Sequence, residues 1–405
     1  MHWFSNTYIV LYFVCIVERI DIGMKFVKIG ENIKQKEGFE AFIPDSFPPK
    51  NGFDFDATTL KKNDEAIRLL GKLDGVTELL PDADFFLLMY LRKDAASSSQ
   101  IEGTRATLID AIEADAKINP DTPSDVDDIL HYIQALNYGM KHITKKHFAL
   151  TLDFIKELHK KLMDRARSSY FSDPGQFRKK QNWISGTSVD NARFVPPPPK
   201  EMNLALKDLE KFIQTDDLTL TLIKAALIHA QFETIHPFLD GNGRTGRMLI
   251  TFFLWKEACL EKPVLFLSSY FKKYQEIYYE KLFGYHYGMV SDWVNFFLDG
   301  VIDIAGEAIE IVRKITTLRE YDILKIQKLS TRASESAAIV LPKLYVQPIV
   351  NVATIEQWTG FTKAGAQRVV DRFVELKILI PRKQEKKYDQ TYAYETYLDI
   401  FSDKI

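Results

Sequence analysis

The stretch HPFLDGNGRTGR, residues 236–247, brings a histidine, an aspartate, three glycines and two arginines into one short span. Gly241 and Gly243 let a backbone come close to an anion, and a helix starting there aims free N–H groups and its positive end at the same point. Phosphate is the anion this favours. Arg244 and Arg247 lie three apart, so one helical face carries both toward polyphosphate oxygens. Asp240 offers one carboxylate to Mg²⁺ while phosphates complete the octahedron. His236 has an ordinary pKa near neutrality, which suits it to take a proton from an attacking hydroxyl. A base, a metal ligand and an anion cradle together make phosphoryl-type transfer the reaction class. Singly these features are ordinary: Asp-Gly-Asn-Gly is a common tight turn, a histidine at a helix end is usually structural, and paired arginines usually line a solvated face. Their joint occurrence carries the signal.

GNGRTG also fits the G-x-G-x-x-G pattern of a dinucleotide loop, which requires a buried strand before it and a βαβ unit around it. What precedes is LTLIKAALIHAQFETI, with Leu220, Ile223, Leu227 and Ala230 at helical spacing, and GRMLITFFLWKEA follows as a second apolar helix. The stretch therefore reads as helix, glycine-rich anion loop, helix. No Walker A or kinase-type loop competes elsewhere in the chain.

The elements that must hold this loop are mostly helical. The chain has 405 residues, enough for a large core and two or three domains, with 46% hydrophobic and 27% charged residues and a formal net charge of −2. That balance demands neither a nucleic-acid nor a membrane partner. Cys15 and Cys259 are too far apart for a metal motif, and a reducing, cytoplasmic setting is the default. The run YIVLYFVCIV is too short to span a bilayer, and residues 1–23 read as an over-extended start ahead of Met24. Residues 39–55 read as an extended, proline-bearing arm over the surface, and residues 58–116 as helices broken near Gly75 and Pro81. Two amphipathic helices follow, with Ser124 and Thr151 as N-caps. FRKKQNWISGTSVDNARFVPPPP reads as a hairpin closed by polyproline. Helices resume at Lys200 and run to about Lys325, and residues 326–405 have the pattern helix, turn, helix, β-wing.

His-Pro-Phe-x-Asp-Gly-Asn-Gly-Arg-x-x-Arg resembles the signature of the Fic family of AMP transferases at every signature position. In that family the histidine deprotonates a Ser, Thr or Tyr hydroxyl, which attacks the α-phosphate of ATP. The resemblance implies that His236 is the base, Asp240 the Mg²⁺ ligand, and Gly241, Asn242 and Gly243 the anion cradle. Arg244 and Arg247 would hold the outer phosphates, Thr245 and Gly246 would complete the ATP-binding loop, and Phe238 would anchor it in the core. A lysine at position 243 marks the phosphotransferase branch, so Gly243 favours AMP transfer. QNWISGT resembles the family's flap, which aligns a target by strand addition and sets Ile184, Ser185, Gly186 and Thr187 over the nucleotide. Tyr278 and Tyr279 match a pair beside the adenine. SSSQIEGTRATL contains Ser98-x-x-x-Glu102-Gly103, which matches the family's inhibitory helix, where the glutamate pairs with the second signature arginine, here Arg247, and displaces the γ-phosphate.

These readings give a mainly α fold: an N-terminal arm and inhibitory region over 24–120, a Fic core over 121–325 with a short hairpin flap, and a winged-helix-like domain over 326–405. The expected function is AMP transfer from ATP, with Mg²⁺, to a hydroxyl of a target protein or of the chain itself, held low by Glu102. Its rivals are AMP removal by the same fold and a nucleotide-sensing DNA-binding regulator. DNA would meet the C-terminal domain, whose second helix offers Lys363, Arg368 and Arg372 beside Asp371 and Glu375. A homodimer is a further expectation, and a membrane partner is not.

Overall fold

The structure, a computed structural model, describes residues 27–78, 80, 83–118, 122–144, 148–164, 173–217, 219–382 and 390–402. The expectations for residues 1–23, Met24 and Pro81 lie outside the described residues. At the centre stand two helices, α7 (Thr221–Ile235) and α8 (Asn242–Lys256). Nearly every side chain of α7 is buried, including polar His229, Gln231 and Thr234, so this helix is wrapped on all sides instead of showing a polar stripe. Trp293 fixes its outer side, donating from Nε1 to the Ala226 carbonyl at 2.8 Å.

Around this pair pack α4 (Val126–Ile143), α5 (Leu152–Leu162), α6 (Pro199–Gln214), α9 (Ser268–Lys273), α10 (Gln275–His286) and the long α11 (Val290–Gln327). The N-terminal region supplies β1 (Gly30–Lys34), β2 (Glu40–Pro44), α1 (Ala57–Glu78), α2 (Ala83–Ile101) and α3 (Leu108–Asp115). The C-terminal unit runs α12 (Thr331–Val346), β3 (Ile349–Asn351), α13 (Val352–Thr359), α14 (Lys363–Glu375), β4 (Ile380–Pro381), β5 (Thr391–Ala393) and α15 (Glu395–Phe401). Its antiparallel sheet has the order β3-β5-β4. Buried Arg92 of α2 reaches this unit at the Val346 carbonyl, 2.8 Å away.

Several local expectations need correction. α1 runs straight through Gly75, because Thr59, Asn63, Ala66, Leu70, Leu73 and Thr77 form one buried stripe that tertiary packing holds against the glycine's low propensity. That helix ends at Glu78 and α2 starts at Ala83, and a further break falls at 102–107, between α2 and α3. Ser124 is not an N-cap: α4 starts after Asp125, with no side-chain cap, whereas Thr151 does accept from the Phe154 N–H. The arm is no mere drape, since β1 pairs with β2 in a hairpin and Ala41, Phe42 and Phe47 are buried. The flap hairpin shrinks to one antiparallel bridge, Ile184 to Phe194. There the Asn191 side chain accepts from the Thr187 and Ser188 N–H groups, both at 2.9 Å, and so replaces the strand ladder. Pro199 belongs to the first turn of α6.

Two glycines test this packing. A methyl at exposed Gly75 would meet nothing within 4 Å, whereas one at Gly139 would lie 2.1 Å from the Phe252 ring. We expect Gly75→Ala to stabilise by about 0.5–1 kcal/mol and Gly139→Ala to cost about 1–3 kcal/mol through overpacking between α4 and α8. Urea midpoints check both; a destabilised Gly75→Ala would mean that the helix does break there.

Candidate active site

The site grows from the way α7 stops. His236 takes the left-handed conformation, φ 48°, and its N–H bonds the Phe232 carbonyl at 2.9 Å. Pro237 then bars further helix. A non-glycine residue in this conformation is strained, and such strain gathers at functional positions. The chain turns and re-enters helix at α8 through Gly241, where φ is 76° and a methyl would lie 2.9 Å from the Met163 Sδ, so a side chain is disfavoured. Asn242 closes the loop: its Oδ1 accepts from the Phe238 N–H at 2.8 Å and its Nδ2 donates to the Phe238 carbonyl at 2.9 Å. Phe238 is fully buried and stacks on His159, ring centres 3.7 Å apart. His159 Nδ1 accepts from the Gly175 N–H, so its Nε2 carries the proton that reaches the Asp240 carbonyl at 2.9 Å. No side chain caps α8. Its leading N–H groups are thus left to face an anion.

A cavity of about 400 Å³ opens beside this loop, within the size range of nucleotide and other small-ligand pockets. Of the expected site residues, Glu102, Ile184, Ser185, His236, Gly243, Arg247, Tyr278 and Tyr279 line it. Gly186, Thr187, Asp240, Gly241, Asn242, Arg244, Thr245 and Gly246 do not. The side chain of Asn242 is spent on Phe238, so only its backbone is left for a cradle. Gly246 serves close packing, since a methyl there would lie 2.5 Å from the Glu233 carboxyl, and Thr245 bonds the Gly241 carbonyl. The two arginines also part company. Arg244 is buried toward Met163 Sδ at 3.7 Å and the Asp128 carboxylate at 3.9 Å, while Arg247 faces the cavity.

Arg247 is 4% exposed. Its Nε donates to the Ser98 Oγ at 2.8 Å, and its Nη2 to the Ser98 carbonyl at 3.0 Å and the Glu102 Oε1 at 2.7 Å. Burial works against its charge, and the Glu102 carboxylate, Tyr278 and Tyr132 together outweigh it and raise its pKa. Ser98 and Tyr132 are buried in the same polar chain, in which the Tyr132 hydroxyl donates to Asp94 at 3.0 Å. Glu102 sits where α2 ends. The Thr104 N–H reaches back to the Ser99 carbonyl and the Gly103 N–H to the Gln100 carbonyl, with Gly103 at φ 92°. This is the double-bonded helix stop that favours a left-handed glycine, and it explains why Gly103 follows Glu102. The carboxylate also lies over the first turn of α8: a methyl built on Gly243 would be 2.3 Å from Glu102 Oε1. Tyr278 is buried and its hydroxyl meets His229 Nε2 at 2.9 Å; Tyr279 is half-exposed and bonds the Ile101 carbonyl at 3.4 Å.

Burial, then the nearby Arg178 charge, hold the His236 pKa down to about 4, so the imidazole is neutral at pH 7. Glu233, largely buried 3.7 Å from His236 Nδ1, is pushed up to about 8 by burial. Glu233, Trp183, Arg193, Phe194, Leu282, Phe283 and His286 also line the cavity and were not singled out from the sequence. Helical spacing from Tyr279 through Leu282 and Phe283 to His286 could have found three of them. Among the described residues no group of three His, Cys, Asp or Glu side chains could hold a metal ion by itself.

Comparison with known proteins matches residues 149–254 to the Fic/DOC family model and residues 60–141 to the Fic/DOC family N-terminal model. The chain is 28% identical over 207 residues to the protein adenylyltransferase Fic of Drosophila erecta, covering 49% of this chain and 38% of that protein. It is 32% identical over 119 residues to the protein adenylyltransferase fic-1 of Caenorhabditis elegans, covering 29% and 21%. The chain thus spans well under two thirds of the length of these relatives. Among solved structures, a Fic family protein from Desulfovibrio desulfuricans matches with a TM-score of 0.54 at 18% identity, covering 84% of this chain and 97% of that one. Fic-1 from C. elegans, residues 134–508, matches with a TM-score of 0.50 at 18% identity, covering 64% and 73%. Both likenesses concern the fold.

The buried titratable groups predict an acid limit on stability. Burial holds His159 and His236 down to about 4 and His229 and His286 to about 3, whereas the unfolded rings protonate near pH 6.5. Their contribution is present above about 6.5 and is lost as pH falls toward 4. Glu233, raised to about 8, acts oppositely: its contribution is present at low pH and lost as pH rises toward 8. Near pH 5 the unfolded chain therefore binds about four protons more at the histidines and one fewer at Glu233, giving a slope of roughly 4 kcal/mol per pH unit. Urea unfolding at half-unit steps checks this; equal stability at pH 6.5 and pH 5 would contradict the burial of these rings.

Proposed function

The chain belongs to the Fic/DOC family through residues 60–141 and 149–254, and from that premise we propose that it is a protein adenylyltransferase, moving AMP from ATP to a hydroxyl of a protein and held low by its own Glu102. The observation that carries the reading is the position of the Glu102 carboxylate. It bonds Arg247 at 2.7 Å and lies over the open first turn of α8, beside His236. A carboxylate there occupies the place a phosphate would take, and competes with it for the same guanidinium.

In this reading His236, neutral at pH 7, takes the proton of the incoming hydroxyl at its free ring nitrogen, and the oxygen attacks the α-phosphate as pyrophosphate leaves. The N–H groups at the start of α8 and the Arg247 side chain orient the phosphates. Tyr278 and Tyr279 form the wall of the cavity next to Arg247, on the side where the adenine would lie. Mg²⁺ arriving with ATP would be held at Asp240, where a single carboxylate suits an ion that keeps phosphate and water oxygens; when bound it neutralises phosphate charge. The flap bridge at Ile184 and Phe194 forms the opposite edge, against which an extended target segment would lie.

The test is incorporation of labelled AMP by wild type, Glu102→Gly, Arg247→Ala, the double variant and His236→Ala. Glu102 keeps 39% of its side-chain surface exposed, which weakens the pair relative to a shielded one. We expect Glu102→Gly to raise the rate about tenfold, Arg247→Ala to cancel that gain, and His236→Ala to abolish transfer while ATP still binds. An unchanged rate in Glu102→Gly would remove the inhibitory role. Release of AMP from a modified target by wild type, lost in Glu102→Gly, would identify the reverse reaction as the main one.

A further inference from the structure

One buried side chain ties the turn of His236 to the flap. Arg178 is 2% exposed. Its Nε donates to the His236 carbonyl at 2.9 Å, its Nη2 to the Pro197 carbonyl at 2.5 Å and the Ile235 carbonyl at 3.4 Å, and its Nη1 to the Lys180 carbonyl at 3.2 Å. Its own backbone N–H donates to the Pro237 carbonyl at 2.9 Å. The carbonyl of Ile235, the last residue of α7, and those of His236 and Pro237 just beyond it thus end on one residue. Lys180 and Pro197 bracket the flap segment 181–196. Asn182 adds a second link, donating to the His236 and Phe238 carbonyls at 3.3 and 3.0 Å.

We propose that Arg178 is a positioning residue that fixes both ends of segment 181–196 to the turn carrying His236, so that a target laid on the flap and the base that deprotonates it share one rigid frame. The proposal rests on the reading of His236 as the base and of this segment as the flap. A planar guanidinium is needed because four carbonyls converge on it from two chain segments, and an ammonium cannot meet them all in one plane. Its charge meets carbonyl dipoles instead of a carboxylate among the described residues, and burial lowers its pKa to about 10. That charge also acts on the base. The Glu102 and Asp240 carboxylates, from the end of α2 and from the loop, and the Glu233 backbone favour protonation of His236, with the Glu233 carboxyl 3.7 Å from its Nδ1, while Arg178, second only to burial, opposes it.

The test uses Arg178→Lys and Arg178→Met in the full chain carrying Glu102→Gly. Single-turnover self-modification by labelled ATP gives a maximal rate and a half-saturating ATP concentration. We expect both variants to lose about tenfold to a hundredfold in maximal rate, with half-saturation changed less than about threefold, since the phosphate contacts are untouched. The two should then separate by pH. The parent and Arg178→Lys, which keeps the charge, should hold their rates from pH 7 down to about 5, whereas Arg178→Met should start to fall near pH 6 as His236 becomes easier to protonate. A parental rate in Arg178→Lys overturns the proposal. So does an equal loss in rate and ATP half-saturation, or failure of both variants to fold, because Arg178 would then serve stability alone. Retention of transfer by His236→Ala in the same background is a separate failure, of the base assignment beneath it.

Discussion

The charge of Arg247 is the constraint on which the two halves of the helical core depend. A guanidinium this deeply buried is costly unless nearly every donor finds an acceptor, and α8 supplies none for it. The acceptors come from the last turn of α2, through the Ser98 hydroxyl, the Ser98 carbonyl and Glu102. Docking of the N-terminal region against the central helix pair is therefore an electrostatic requirement as well as a hydrophobic one. The serines on either side, Ser97 and Ser99, are small enough to be buried with it. Ser98 passes the demand onward to Tyr132, Asp94 and the Ser268 N–H. A buried polar chain of this kind specifies one register for α2, because a shift by one residue would strand several polar groups at once.

Two buried cations hold the site, Arg247 in the cavity wall and Arg178 behind the His236 turn, and they are satisfied in opposite ways. Arg247 is met by a carboxylate that solvent can still reach, and Arg178 by backbone carbonyls that it cannot leave. The first arrangement is open to exchange, because solvent reaches the Glu102 side chain. The second is fixed. The site thus joins a replaceable contact on the ligand side to a permanent one on the scaffold side, which agrees with the general pattern of rigid support behind a responsive surface.

The helix, loop and helix around residues 236–247 were legible because their signals are local: apolar periodicity, a proline stop and glycines at a turn. The contact between Glu102 and Arg247 crosses 145 residues, and nothing in periodicity or composition joins them; only the likeness to a family motif did. Arg178 and His159 were invisible for another reason. Their partners are backbone carbonyls and N–H groups, which every sequence supplies, so no complementary residue type betrays them. The flap's β-friendly residues suit a hairpin, yet Asn191 substitutes a side chain for the ladder. Arg244 shows the limit of spacing arguments, since a place three residues from Arg247 sets its direction along the helix but not which neighbours, here Met163 and Asp128, draw it away from the cavity.

The glycine-stopped turn after Glu102 has a kinetic meaning. Helix ends open at far lower free energy than helix middles, and here the Glu102 carboxylate stands one residue past the end of α2 while the anchoring Ser98 lies about a full turn inside. Clearing the cavity therefore needs fraying of one turn, not separation of domains, and belongs to the time range of nanoseconds to microseconds expected of loop and terminus motion. With the pair worth about 1–2 kcal/mol in its half-exposed setting, the cleared form would make up roughly 3–15% of molecules at any moment. On the proposed inhibitory reading, Glu102 then sets a duty cycle: a fast, small, recurring window in which the cavity is open to an anion.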